Sequence, residues 1–260
     1  MHKLSICLLV AVLGCGDDTQ PTVDGASPDA PMTDAAPPDA ITYDFSCIST
    51  PWPSTAPDPV GIGGAIREQP AGSPVVNMTV DLLKLSDDSV LGTTMSSNTG
   101  RYNFSVVTGG VAPTAYIKYT KGNFIDGYAF APVPLYRNAQ NGDLPTLTPA
   151  DMMMYAQASG VASLDSSKSV VGVEVHDCGG LFAPGGVVTL NPPGGTIVYF
   201  DSNHQPNPSL TSSTTDGKVA IFNATPSTSY DVTIVNQGHT YRSWPIKVYA
   251  GAFSWSVRLP

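Results

Sequence analysis

The chain has 260 residues and a net charge of −9 at pH 7, because 21 acidic residues outnumber 12 basic ones. Eight of the acidic residues are aspartates within residues 16–58, whereas residues 59–260 hold 11 basic and 13 acidic residues and are nearly neutral. The sequence has no basic stripe that could release counterions from phosphates, so we exclude nucleic acid as a partner.

The first fourteen residues have the pattern of an export signal. Lys3 precedes an apolar run over residues 4–14, which is too short to span a bilayer as a helix. The run ends in Val-Leu-Gly-Cys, and this sequence resembles the bacterial lipobox. The resemblance implies cleavage before Cys15 and a lipid on its thiol. We therefore expect a lipoprotein signal peptide at residues 1–14, lipidation at Cys15, and the membrane as a partner through this anchor.

Residues 15–58 are predicted to be the lipidated cysteine followed by a disordered Asp/Pro/Ala linker. Residues 16–58 contain eight Asp, eight Pro and no Lys or Arg. Proline opposes helix and sheet, aspartates repel one another, and too few apolar side chains are present to offset the entropy of ordering. The expected localisation is the bacterial cell envelope, at the outer membrane, with the periplasmic and cell-surface faces both left open.

Two cysteines remain once the signal and the lipid site are set aside, Cys47 and Cys178. Exported proteins meet an oxidising compartment, where two remaining thiols can pair. We predict a Cys47–Cys178 disulfide that clamps the end of the linker onto the second half of the chain. Two unrelated thiols are the alternative.

Beyond the linker, apolar and polar residues alternate as they do in β-strands with one face exposed to solvent. Apolar and polar residues alternate with period two over residues 76–82, 101–106, 171–176, 230–234 and 253–259. Glycine, proline, asparagine and aspartate separate these short runs. Many short strands at regular spacing are typical of a β-sandwich.

The order of features is repeated in the two halves. A glycine-rich opening strand comes first, and later a turn glycine precedes a basic residue and an apolar strand, at Gly100-Arg101 and again at Gly217-Lys218. We expect both glycines to adopt a positive φ in a tight hairpin.

This plan resembles the carboxypeptidase regulatory-like, or transthyretin-like, sandwich family. The resemblance implies an all-β chain with two tandem transthyretin-like or immunoglobulin-like sandwiches, at residues 59–137 and 169–260. It also implies an accessory, adhesion-like or carrier module and not an enzyme.

Residues 138–168 form the predicted connector, with one short helix. Thr148 supplies a capping hydroxyl, Pro149 suits the first helical position, and Asp151 lies three residues after the cap. These features predict a helix over residues 149–159 that ends at Gly160 and packs at the junction of the two halves.

Three histidines outside the signal, His176, His204 and His239, could in principle bind zinc and support a metal-dependent hydrolase. Their spacing contains no HxH or HxxxH pair, which favours loop histidines instead. We expect no metal, no catalytic residue and no cofactor.

The loop over residues 237–245 carries the candidate ligand contacts, Trp244 and Tyr241, because exposed aromatic rings beside polar groups suit sugar or protein recognition. The leading hypothesis is therefore a lipid-anchored envelope protein whose two non-catalytic sandwiches bind or scaffold a glycan or a protein. The alternatives are the histidine-dependent hydrolase and a purely structural spacer.

Overall fold

A computed structural model describes residues 42–140 and 142–260. Residues 42–260 belong to one compact unit. The described residues form mostly β-strands and a single short helix, which confirms the predicted all-β sandwich fold. In chain order the elements are β1 (Val60–Glu68), β2 (Thr79–Lys84), β3 (Val90–Met95), β4 (Arg101–Val106), β5 (Ala115–Thr120), β6 (Gly127–Phe130), β7 (Leu144–Thr146), α1 (Pro149–Ala158), β8 (Ser169–Val175), β9 (Val187–Asn191), β10 (Thr196–Phe200), β11 (Pro206–Asn207), β12 (Lys218–Ala224), β13 (Ser227–Asn236), β14 (His239–Thr240), β15 (Ile246–Val248) and β16 (Phe253–Arg258).

A nine-stranded sheet runs through both halves of the chain, in the order β11-β10-β12-β8-β16-β6-β5-β2-β3. Two smaller sheets accompany it in the described part of the chain. One has the order β4-β1-β7, and the other is built around β13, which pairs with β9, β14 and β15. The final strand β16 is parallel both to β8 and to β6, so that it joins the strands of residues 169–260 to those of residues 59–137.

The strand register defines the two faces of the nine-stranded sheet, because directly paired residues share a face. One row of paired residues crosses seven strands and consists of Leu82, Ile117, Ala129, Trp255, Gly172, Ala220 and Val198. The row beside it lies on the opposite face and consists of Leu83, Tyr116, Phe130, Ser256, Val173, Val219 and Tyr199.

The two small sheets cover opposite faces of this long sheet. The sheet of β1 and β4 packs through Ile62 and Phe104 against the face that carries Leu82 and Ile117. The sheet of β9 and β13 packs against the other face, over the second half, where Val232 joins the core that contains the second row. Each half of the chain is thus a sandwich, and the two sandwiches share one sheet.

The predicted duplication has a direct counterpart in the hydrogen bonds. The amide of Ile66 in β1 donates to the carbonyl of Gly100, and the amide of Val175 in β8 donates to the carbonyl of Gly217, both at 2.8 Å. Both glycines have a positive φ, 75° and 64°, as predicted. The prediction that they lie in tight hairpins is wrong, because β3 and β4 belong to different sheets, and β11 and β12 are separated by β10. A Cβ at either position would lie 2.8 Å from a carbonyl oxygen of the opening strand, so that the turn requires glycine for space as well as for conformation.

Helix α1 spans Pro149–Ala158 and has the predicted cap. The Thr148 hydroxyl accepts from the amide of Asp151, and the Asp151 carboxylate accepts from the amide of Thr148. Met152 and Ala156 are buried against β-strand residues of the second half. No helix in the described ranges is long and apolar enough to cross a membrane.

The end of the predicted linker is ordered, so the prediction of disorder is wrong for residues 42–58. Cys47 and Cys178 form a disulfide with Cα atoms 5.7 Å apart. The Arg242 guanidinium donates to the carbonyls of Cys47, Ile48 and Thr50 at 3.0, 2.9 and 2.7 Å. Composition could not predict this order, since the stabilising partners lie about 130 to 195 residues away in sequence. The signal peptide, Cys15 and the linker up to residue 41 lie outside the described residues.

We expect loss of the disulfide to lower the free energy of unfolding. The cysteines are 131 residues apart, and closure of a loop longer than 100 residues contributes about 4 to 5 kcal/mol in the chain-entropy treatment. Chemical denaturation of the wild type, and of the variant that combines Cys47→Ser with Cys178→Ser, measures this difference. A thiol reductant should destabilise the wild type and leave the variant unaffected. Equal stability of the two proteins would contradict the expectation.

Two buried tyrosines are expected to make stability fall at alkaline pH. Burial raises the pKa of Tyr230 to about 12, and its hydroxyl is buried without a hydrogen-bond partner. Burial also raises the pKa of Tyr119, whose hydroxyl donates to the carbonyl of Pro145 at 2.7 Å. Unfolded tyrosine ionises near pH 10, so the unfolded chain releases protons there that the folded chain keeps, and stability is lost as the pH rises above about 10.

Paired phenylalanine variants separate the two hydroxyls. At pH 7, Tyr230→Phe should leave the free energy of unfolding unchanged or raise it by up to about 1 kcal/mol, whereas Tyr119→Phe should lower it by about 1 kcal/mol. Above pH 10 the free energy of unfolding of the wild type should fall with pH. In each variant this fall should be smaller by up to about 1.4 kcal/mol per pH unit, because one of the two titrating hydroxyls is absent. Denaturant titrations from pH 7 to 11 provide the measurement, and an unchanged slope in both variants would refute the assignment.

Candidate functional site

A cavity of about 620 Å³ lies on the face of the long sheet that carries Trp255. Strands β8, β12 and β16 form its floor, and helix α1 and the segment around β7 form its walls. The cavity exists because the small sheet of the second half covers the opposite face, which leaves the ten-residue helix α1 to cover this one. Its volume lies within the range of about 300 to 1,000 Å³ that is typical of small-ligand sites.

The indole of Trp255 forms the centre of the floor. Trp255 is paired with Gly172 on the neighbouring strand, and a Cβ on Gly172 would lie 2.3 Å from the indole ring. The ring therefore lies over the bare backbone of Gly172 and is held there on one side by Phe253, at a ring distance of 5.9 Å. Because Trp255 is only half-buried, its other side remains accessible from the cavity.

The end of the cavity nearest α1 is apolar and close-packed. Its lining residues Met152, Phe222 and Phe253 are 3, 1 and 5% exposed, so that little of their surface is left for a ligand. Tyr155 also lines this end, 6.4 Å from the Phe200 ring. Burial and the nearby Asp151 carboxylate raise the pKa of Tyr155 above its ordinary value.

The opposite end of the cavity is polar, and its charges are already paired. The Lys218 ammonium lies 2.6 Å from an oxygen of Asp216, a carboxylate that is itself buried, and the same oxygen accepts from Nδ1 of His204. Nε2 of His176 lies 3.1 Å from the Glu174 carboxylate, and its Nδ1 lies 2.8 Å from the carbonyl of Gly180. Lys218 and His204 thus share one oxygen of Asp216, whereas Glu174 contacts His176.

The wall of the cavity carries polar side chains from the end of β1 and from the segment before β7. Arg67 is the penultimate residue of β1, Gln69 is the first residue after it, and Asp143 immediately precedes β7. Asp143 is fixed by a hydrogen bond of 3.0 Å from the amide of Ala65 to its carboxylate. Both halves of the duplicated fold thus contribute to one site.

The three candidate histidines do not meet at one point. His176 and His204 line the polar end of the cavity, whereas His239 is exposed and stacks on Phe45 at 4.7 Å. Both ring nitrogens of His176 already face acceptors in the protein. Among residues 42–140 and 142–260 there is no group of three or more histidine, cysteine or carboxylate side chains that could hold a metal ion.

The predicted ligand contacts lie away from the cavity. Tyr241 is 3% exposed and packs edge-on against Phe45, so it is a core residue and the prediction that it contacts a ligand is corrected. Trp244 is half-buried and lines a gap of about 10 Å³, which is too small for a ligand larger than water, and its carbonyl accepts from the buried Arg258. Sequence reasoning missed Trp255, because strand alternation places it among ordinary core positions. Only the register, which pairs it with a glycine, reveals that its ring is open to the cavity.

Comparisons with known proteins leave the family unassigned. No protein family matches the chain, and no curated protein matches it. Among solved structures, the Bacillus anthracis TIE protein aligns over 78% of this chain and 34% of its own length, at 7% identity and a TM-score of 0.28. Shaft pilin SpaA of Lactobacillus rhamnosus GG aligns over 78% of this chain and 98% of its own, at 10% identity and a TM-score of 0.25.

An enzyme also occurs among these structures. A 3-chlorocatechol 1,2-dioxygenase of Rhodococcus opacus aligns over 43% of this chain and 70% of its own, at 9% identity and a TM-score of 0.27. The present chain spans about a third of the TIE protein. Likenesses of this size carry no conclusion about family or activity.

Proposed function

We propose that this chain is a non-catalytic binding module of a bacterial cell envelope, and that its ligand occupies the cavity floored by Trp255. The observation that carries the proposal is the cavity itself, which combines about 620 Å³ of space, an accessible indole and a polar rim. An open apolar surface ringed by convergent polar groups is the usual form of a ligand site.

The rigidity of the elements around the cavity supports a binding role. Floor and walls come from strands and a capped helix, which hold their side chains rigidly, and rigid sites bind with little loss of entropy. The polar residues at the rim are engaged with one another, which suits them for positioning a ligand.

The lipid anchor is the second part of the proposal. Cys15 would carry the lipid, residues 16–41 would act as a spacer, and the disulfide at Cys47 would fix the spacer to the body of the protein. The three carbonyl contacts of Arg242 support this attachment, since they hold the backbone beside the disulfide. Carboxypeptidase regulatory-like membership and an outer-membrane location belong to the same proposal.

A cavity-filling variant tests the binding role. Val257 is half-buried in the cavity floor, and Val257→Trp should fill the space that a ligand needs. In a thermal-shift screen of the purified chain against sugars, nucleosides, amino acids and fatty acids, a ligand at 100 times its Kd should raise the Tm by about 5 to 10 °C. Val257→Trp should abolish that shift.

The control for this experiment is Val187→Trp. Val187 is 46% exposed on β9, away from the cavity, so this variant adds the same side chain and should keep the shift. If the chain were instead a metal-dependent hydrolase, the purified protein should contain a metal ion. Replacement of His176 or His204 should then remove that metal. A screen in which no compound shifts the Tm would favour the structural spacer and reject the binding role.

Replacement of the lipid cysteine tests the anchor. Cys15→Ser should abolish incorporation of a radiolabelled fatty acid and move the protein from the membrane fraction to the soluble fraction. Cys7→Ser is the matched control, because Cys7 lies in the expected signal peptide and should leave acylation intact. Equal labelling of Cys15→Ser and the wild type would refute lipidation at Cys15.

A further inference from the structure

We infer that the cavity takes an uncharged pyranose sugar, stacked on Trp255, as its ligand; this inference rests on the proposed binding function. It names the chemical class of the ligand from three features of the cavity: the partly exposed indole, the balance of positive and negative side chains and the placement of its polar groups.

The first step is the shape of the floor. Because Gly172 has no side chain, the Trp255 indole lies over the backbone and offers one broad face to the cavity. A pyranose ring has faces made of C–H groups, and such a face packs well on an aromatic ring of this size. Met152, Phe222 and Phe253 are already buried in the core, and Trp255 is the largest partly exposed apolar side chain of the lining.

The second step concerns charge. The cavity lining carries two cationic side chains, Arg67 and Lys218, and two carboxylates, Asp143 and Glu174, so that it offers a ligand no net charge. Lys218 also contacts Asp216, and Glu174 contacts His176. Because an ion of either sign would meet like charges as well as opposite ones, the cavity gives neither sign an advantage over a neutral ligand. A neutral ligand can bind while all of these pairs stay intact.

The third step concerns hydrogen bonding. Donors and acceptors line both the wall and the floor of the cavity, with Arg67, Gln69 and Asp143 in the wall and Glu174 and Lys218 in the floor. A ligand that meets such a mixed set must both donate and accept at several points of its rim. Sugar hydroxyls do this, since each has one donor and two acceptor positions. A purely apolar ligand would desolvate Arg67, Gln69 and Asp143 without offering them a hydrogen bond.

Calorimetric titration of the full chain tests the inference. The neutral probes are glucose, galactose, mannose, N-acetylglucosamine and their linear trisaccharides, and the charged matched probes are glucuronic acid and glucosamine. We expect at least one neutral sugar to bind, and its charged counterpart to bind about tenfold or more weakly. Equal or tighter binding of the charged sugars would overturn the argument from balanced charges.

Variants of Trp255 test the stacking contact. Trp255→Ala should weaken sugar binding about tenfold, Trp255→Phe should retain most of it, and Trp244→Ala should leave it unchanged. Because Trp255→Ala could disturb the sheet, a second measurement leaves Trp255 in place. In the variant with Trp52→Phe and Trp244→Phe, Trp255 is the sole remaining tryptophan, and sugar should change its fluorescence. An unchanged emission on saturation with a bound sugar would overturn the placement.

The outcomes separate this inference from the function on which it rests. If no sugar binds but another compound gives a thermal shift that Val257→Trp abolishes, the cavity is a ligand site and the sugar inference is wrong. If neither sugars nor any other compound binds, both proposals fail.

Discussion

The insertion of β16 between β6 and β8 is the constraint on which the rest of the structure depends. This last strand forms parallel ladders on both sides, through residues 253–256 with β6 and through residues 253–258 with β8. A strand with neighbours on both edges has its backbone groups satisfied by the sheet, so that two halves with separate cores become one structure. Small side chains fit the buried face of β16, where Ser254 and Ser256 are fully buried.

The cavity follows from this shared sheet. The halves repeat the same opening strand and glycine turn, but their small sheets cover opposite faces of the long sheet. One face of the second half is therefore left to a helix of ten residues, which is too small to cover it. The proposed binding site lies in the uncovered part, where Trp255 from the second half, Arg67 from the first half and Asp143 from the connector line one cavity.

The segment around Cys47 is attached to the body of the protein by Tyr241, Arg242 and the disulfide. Phe45 fills space beside Tyr241, the disulfide fixes the chain two residues later, and Arg242 stacks on Trp52 at 4.5 Å while it binds three carbonyls. The loop that was expected to bind a ligand is thus occupied by the chain itself. Its aromatic and basic residues hold the segment through which the proposed lipid anchor would be connected.

The sequence by itself determined the local features of the fold. Alternation predicted strands near residues 101–106 and 253–259, the Thr148–Asp151 cap predicted the helix, and Gly100 and Gly217 predicted the turns, because each depends on residues close together in the chain. Tertiary structure decided what those elements build. The partnership of β16 with β6, the placement of Trp255 over Gly172 and the burial of Tyr241 depend on pairings across about 80 to 200 residues. Alternation states which residues share a face of one strand, but only the register between strands decides which of those residues are covered.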